Sequence, residues 1–176
     1  MYERVGGFTV RRGLLPSGDR GTRKTLSYMR ALAIAGSKER EVREAAIDAL
    51  NRAGVRDHDP VAELGALFRF VRDDIRFTGD VVGVETLQGP RYTLHLMAGD
   101  CDDRAILLAA LARSIGVPAE LRFRVIGADP RRPARYSHVY VVAQVGGKQI
   151  PMDPTYGENR MGWQVPRPSR LGDFRL

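Results

Sequence analysis

The sequence predicts one α+β domain, with helices first and then a mostly antiparallel sheet. Three observations predict it. Up to Ile115 the apolar residues recur at helical spacing. From Ala105 to Ala112 no polar side chain interrupts the run, so that helix must be buried on most sides. Beyond Gly116 the chain turns to strand-like runs, two of them joined by Gly146-Gly147.

The elements follow in order. Residues 1–22 are rich in Gly and Arg, show no sustained period, and read as a basic extended arm. Arg23 to Ala35 reads as a helix with Leu26, Met29 and Ala33 on one side and Gly36 as its stop. Ser37 is placed to cap a second helix that runs to about Ala53 on a stripe of Val42, Ala46, Ala49 and Leu50. Asp59-Pro60 is a helix-start signal, with Asp as cap and Pro at the first helical position. That helix continues through Leu64, Leu67, Phe68 and Val71 to about Asp74, and Ile75 to Thr78 reads as a short strand. A Gly-containing loop leads to the helix at Gly99 to Ile115, which Gly116 and Pro118 terminate. Glu120 to Ile126, His138 to Val145 and Lys148 to Asp153 read as strands. Residues 156–176, with Pro166 and Pro168, read as an irregular tail, which leaves 23–155 as the domain.

Composition narrows the function classes. With 176 residues and 43% hydrophobic content the chain suits one domain with a sizeable core. No stretch approaches the roughly 20 apolar residues of a membrane span, and the first residues show no apolar signal core, so a cytoplasmic location is expected. The single cysteine excludes an internal disulfide and a multi-cysteine zinc site. The net charge is +7 and the pI about 10.1. Only Lys24, Lys38 and Lys148 are lysines, so arginine carries the charge, a skew that GC-rich coding also produces. No helix-turn-helix, zinc-finger or aromatic RNA-binding motif accompanies it, and nucleic acid is not the expected partner.

The one cysteine sits where chemistry is possible. Asp100 reads as the cap of the buried helix, with Asp103 reaching back in the capping-box sense, and Cys101 at the first helical position. A thiolate there faces the positive end of the helix dipole and free N–H groups, which can also supply half of an oxyanion hole. Asp102 and Asp103 act the other way and would raise the thiol pKa, so a nearby cation is required. For a lone cysteine, packing as a small inert apolar residue is the commoner role.

His138 and Asp153 supply the other half. If Gly146 and Gly147 form a two-residue turn, Val145 faces Lys148, Tyr140 faces Asp153 and His138 faces Thr155. His138 and Asp153 are then diagonal neighbours on one sheet face, with Cα atoms about 7–8 Å apart. An orienting Asp–His hydrogen bond can span that gap. Pro151 and Pro154 cannot donate ladder bonds, so the second strand must be an edge strand or bulged. A one-residue slip would put the two side chains on opposite faces.

Three segments resemble motifs of the transglutaminase-like superfamily. They are Gly99 to Ala105 with the apolar helix through Ala119, Ser137 to Val141, and Pro151 to Thr155. The resemblance runs from about Ala62 to Thr155 and keeps the order Cys, His, Asp. It implies a papain-like transglutaminase core with the cysteine-bearing helix packed on an antiparallel sheet. It also implies Cys101 as nucleophile, His138 as general base and acid, and Asp153 as orienter. The implied activity is that of a cysteine hydrolase (peptidase or amidase) or acyltransferase acting on a carboxamide, without a cofactor. The implied substrate is a peptide or protein. Gln88 is a candidate for the side-chain half of the oxyanion hole, by likeness to papain-type enzymes. The loop Gly83 to Pro90 resembles transglutaminase-like proteins encoded in phage structural-gene regions. The alternative function, motivated by the basic arms at both ends, is a structural or virion-associated assembly protein on the same fold, with the triad retained or inactive and protein partners held through those arms. His95 competes as base but has no evident carboxylate partner, and His58 reads as an exposed residue before a helix. Asp100, Asp102, Asp103 and His138 as a metal site is disfavoured, because consecutive carboxylates at a helix start more often serve as caps.

Overall fold

The helix that carries the uninterrupted apolar run Ala105 to Ala112 is the centre of the fold. In a computed structural model, which describes residues 2–5, 8–11, 13–56, 58–79 and 86–176, α5 spans Cys101–Ser114 and every residue from Ala105 to Ala112 is buried. Four helices surround it: α1 (Gly18–Gly36), α2 (Arg40–Arg52), α3 (Pro60–Asp74) and α4 (Pro90–Leu96). Its remaining side packs on a four-stranded antiparallel sheet of β5 (Glu120–Ile126), β6 (His138–Val145), β7 (Lys148–Met152) and β8 (Leu171–Arg175). The strand order is β7-β6-β5-β8. This is an α+β, papain-like core. Two small pairs complete it: the hairpin of β1 (Tyr2–Val5) with β2 (Phe8–Arg11), and the parallel pair of β3 (Arg76–Phe77) with β4 (Ala98–Gly99). The second pair delivers the chain directly into α5.

Local chemistry fixes most of these elements. Asp59 caps α3 by accepting from the Val61 and Ala62 amides, with Pro60 in the first turn. The apolar stripes of α1, α2 and α3 face the core as periodicity requires: Leu26, Met29, Ala33, Val42, Ala46, Leu64, Leu67, Phe68 and Val71 are all buried. Gly146 and Gly147 both adopt positive φ, the conformation of a two-residue hairpin turn that suits strand twist. Val145 faces Lys148, and the register holds to Val141 opposite Met152. Pro151 lies on β7, which is an edge strand.

Four elements depart from the sequence expectation. Helix α1 begins at Gly18, inside the stretch read as an arm, where Arg170 pairs with Asp19 in its first turn. Ser37 closes α1 rather than opening α2: its Oγ donates to the Ile34 carbonyl, and the residue before α2 is Glu39. Helix α4 was not anticipated, although Pro90 at its first position is an ordinary start signal. The tail read as irregular contains β8, which joins β5 through Phe123 opposite Phe174 and an ion pair of Arg124 with Asp173. The segment likened to phage proteins falls partly outside the described residues, at Gly83, Val84 and Glu85. Among the described residues, no helix is long and apolar enough to cross a membrane.

Candidate active site

Cys101 is placed by the start of α5. Asp100 accepts from the Asp102 and Asp103 amides at 3.0 and 3.1 Å, and Asp103 Oδ2 accepts from the Asp100 amide at 3.3 Å. This reciprocal box satisfies the helix start and fixes the position of Cys101. Asp103 is itself buried, and its other oxygen accepts from the Gln88 amide at 2.7 Å. The carboxylate that closes the helix thus also ties down the loop before it.

His138 opens β6, and Asp153 follows the last residue of β7. Their side chains meet: His138 Nε2 lies 2.8 Å from Asp153 Oδ2. Asp153 is 1% exposed at its side chain and His138 11%. Burial by itself would raise the Asp153 pKa. The hydrogen bond and charge of His138, with the Thr155 amide on Oδ1 at 3.1 Å, outweigh it and hold the carboxyl below its usual range. The Nε2 contact leaves Nδ1 as the ring nitrogen available to a reaction partner.

Cys101 and His138 line one cleft of about 840 Å³, whose walls also include Asp100, Asp102, Met29, Arg132, Arg135 and Val139. The thiol hydrogen bonds to Asp102 Oδ1 at 3.5 Å. Burial pushes the Cys101 thiol strongly up, and the charges of Asp102 and Asp100 add to it. A backbone hydrogen bond from Val139 acts the other way. The helix start therefore does not deliver the lowered thiol pKa that its dipole alone predicts; the flanking carboxylates and desolvation win.

One residue of this region escaped sequence reasoning. Arg104 is almost fully buried in the first turn of α5. Its guanidinium donates to the Pro154 carbonyl at 2.6 Å, to the Thr155 carbonyl at 3.1 Å and to the Ile75 carbonyl. It thereby clamps the segment after Asp153 onto the cysteine helix. Burial pulls its pKa down and the nearby Asp153 charge pushes it up. Asn159 adds a second tie, donating Nδ2 to the Asp153 carbonyl at 3.1 Å. The available signal was an arginine heading an otherwise apolar, buried helix, since such a charge needs partners.

The other candidates lie elsewhere. Gln88 is half-buried, and its side-chain oxygen is buried without a hydrogen-bond partner among the described residues; it is not among the described residues lining the Cys101 cleft. His95 packs against the Phe8 ring, centroids 5.7 Å apart, in a different depression beside Glu41 and Arg91. His58 is exposed before α3 with a positive φ. Among the described residues no cluster of three or more His, Cys, Asp or Glu side chains is arranged to hold a metal.

Residues 48–154 match the profile of the transglutaminase-like superfamily. No curated protein matches the chain significantly. Solved structures do. A candidate protease from Parabacteroides distasonis is 14% identical with a TM-score of 0.52, over 86% of this chain and 35% of that one. A candidate cysteine protease from Cytophaga hutchinsonii is 20% identical with a TM-score of 0.48, over 65% of this chain and 37% of that one. The chain thus spans little more than a third of the length of either protein, and the likeness to the Parabacteroides distasonis protein is one of fold.

Proposed function

We propose that this chain, which belongs to the transglutaminase-like superfamily, is a cysteine-dependent hydrolase or acyltransferase that acts on a carboxamide through an acyl-enzyme on Cys101. The observation that carries the reading is the cleft shared by Cys101 and His138, with His138 bonded to buried Asp153.

In this reading Asp153 fixes the ring of His138, and Nδ1 takes the thiol proton as sulfur attacks the carbonyl carbon. Because the environment pushes the thiol up, proton transfer accompanies attack; no standing thiolate is needed. A sulfur–carbon bond forms and the carbonyl electrons move onto oxygen. Asp100 engages the Asp102 and Asp103 amides, so the oxyanion donor at the helix start is the amide of Cys101 itself. His138 then gives its proton to the departing nitrogen, the carbon–nitrogen bond breaks, and the thioester remains. Water or an amine, deprotonated by His138, resolves the thioester and returns the proton to sulfur. We favour hydrolysis, because water needs no acceptor site.

One observation favours the alternative of an assembly protein that keeps the fold without the chemistry: the Cys101 thiol donates to Asp102 Oδ1 at 3.5 Å, a carboxylate that disfavours the thiolate. Iodoacetamide labelling across pH separates the two, with intact mass reading the single cysteine. An active nucleophile gains reactivity in the neutral range, and His138→Ala lowers its rate about 100-fold near pH 7. Reactivity that rises only at or above about 8.5, as for a free thiol, and that ignores the His138 change would leave the assembly reading standing.

A further inference from the structure

The loop that leads into His138 is a built part of the cleft. It contributes Arg132, Arg135, Tyr136 and Ser137 to the same walls as Cys101. Interactions from three directions hold it. Ser137 Oγ accepts from the Ala128 and Asp129 amides at 2.9 and 3.0 Å. Ser169 Oγ lies 3.0 Å from the Gly127 carbonyl and 2.9 Å from the Pro133 carbonyl, and a Cβ on Gly127 would overlap that oxygen. Arg170 donates to the Ala134 carbonyl at 2.8 Å, stacks over the Tyr136 ring at 4.3 Å, and pairs with Asp19 at the start of α1. Among the described residues, the side chains of Arg132 and Arg135 have no carboxylate partner, and both are exposed. The loop's own acid, Asp129, is turned to the Arg131 amide. Across the cleft, Asp100 and Asp102 flank the thiol. The cleft is therefore acidic beside Cys101 and basic on the approach to His138.

The chemistry gives this polarity a direction. His138 must reach the nitrogen that departs in acylation, and the nitrogen that arrives in amine transfer. The chain attached to that nitrogen then runs over the loop preceding His138. We infer that Arg132 and Arg135 bind a carboxylate on the amine side of the substrate, so that the cleft selects acidic peptides there. The inference rests on the proposed roles of Cys101 and His138 for its direction. A guanidinium suits this task because it grips a carboxylate through paired N–H bonds. A braced loop loses little freedom on binding.

The test uses the full chain and its one cysteine. Three probes carry a chloroacetyl group on glycine followed by glutamic acid amide, glutamine amide, or glutamine with a free terminal carboxylate. In each, sulfur displaces chloride: a sulfur–carbon bond forms, the carbon–chlorine bond breaks, and chloride leaves with the electron pair. Intact mass gives the alkylation rate constants. The glutamic acid probe should react about tenfold faster than the glutamine amide. The ratio should fall to about one in the Arg132→Gln, Arg135→Gln double variant and persist in Arg131→Gln, which removes the same kind of charge outside the cleft. The free-acid probe identifies which carboxylate is read, the side chain's or the chain terminus's. A ratio near one for both acidic probes in the unaltered protein overturns the inference, as does a ratio that survives loss of both arginines in a variant that melts normally. Iodoacetamide has no amine-side chain, so its pH profile tests the nucleophile independently of this ratio.

Discussion

The start of α5 and the end of the β6–β7 hairpin face the same cleft with opposite electrostatics. On the hairpin each charge has its counterpart: Asp153 is buried, yet His138 and the Thr155 amide keep its carboxyl below the usual range. At the helix start burial pushes the thiol up, and the charges of Asp102 and Asp100 add to it. The two also differ in what secures them. The Cys101 turn is held by a capping box closed within four residues. Asp153 is held across the sheet by His138 and locally by Thr155 and Asn159, and Arg104 ties the segment after it to α5. The contrast assigns the preorganised work to the histidine–aspartate pair and leaves the nucleophile dependent on it.

Breaking the favourable half should have the largest effect. Asp153→Asn keeps the shape but removes the charge and lets His138 adopt the wrong tautomer. Turnover at neutral pH should fall about 10³–10⁴-fold, and iodoacetamide labelling by no more than the roughly 100-fold of His138→Ala. Stability carries a second signature. A carboxyl whose folded pKa is depressed stabilises the fold above its unfolded value, near 3.9, and loses that contribution as pH falls through the folded value. Urea unfolding should show the variant about 2 kcal/mol less stable at neutral pH. The gap should begin to narrow below about 3.9, where the unfolded carboxyl takes up its proton, and close once acid protonates the native carboxyl. A gap that does not narrow in acid would mean that the charge of Asp153 contributes nothing to stability.

What was legible in the sequence follows the same division. The capped start of α5 and its buried apolar run are local patterns, and the structure reproduces them. The hairpin register needed only Gly146-Gly147 and counting, and it holds as far as Met152. Apart from α4 and the role of Ser37, whose signals are local, the unread features depend on distant partners. The early start of α1 is tied by Asp19 to Arg170, 151 residues away. Strand β8 depends on Arg124, which no window around Asp173 contains. Arg104 reaches carbonyls 29 to 51 residues away. The direction of the Cys101 shift was open for the same reason: the helix dipole is local, whereas desolvation comes from the elements packed over it.

Arg104 offers an intermediate effect that joins the two halves. Arg104→Met removes the donor to the Pro154, Thr155 and Ile75 carbonyls and leaves them buried. A loss of about 2–4 kcal/mol is expected in denaturant unfolding. Cys101 alkylation should slow by about tenfold, because the segment after Asp153 loses its tie to α5. Arg104→Lys should recover part of the stability, since an ammonium can satisfy one or two of the carbonyls but lacks the planar fork. Equal melting of the Met variant and the parent would remove Arg104 from the account.

The smallest expected change is a gain, and it comes from the unfavourable half. Asp102 Oδ1 lies 3.5 Å from the Cys101 sulfur and raises the thiol by charge and by hydrogen bonding. Asp102→Asn removes the charge and keeps a side-chain oxygen for the S–H. The capping role of Asp100 is untouched, because Asp102 contributes only its backbone amide to it. The thiol should move down, and the iodoacetamide rate near pH 7 should rise about three- to tenfold, equivalent to about 0.5–1 pKa unit. Asp100→Asn would not serve, because it would also weaken the cap that positions Cys101. The Asp102 variant also shows whether the carboxylate is mere hindrance. If faster alkylation comes with slower acyl transfer, then Asp102 holds the proton on sulfur until substrate arrives, and the opposing electrostatics of the two halves are part of how the cleft works.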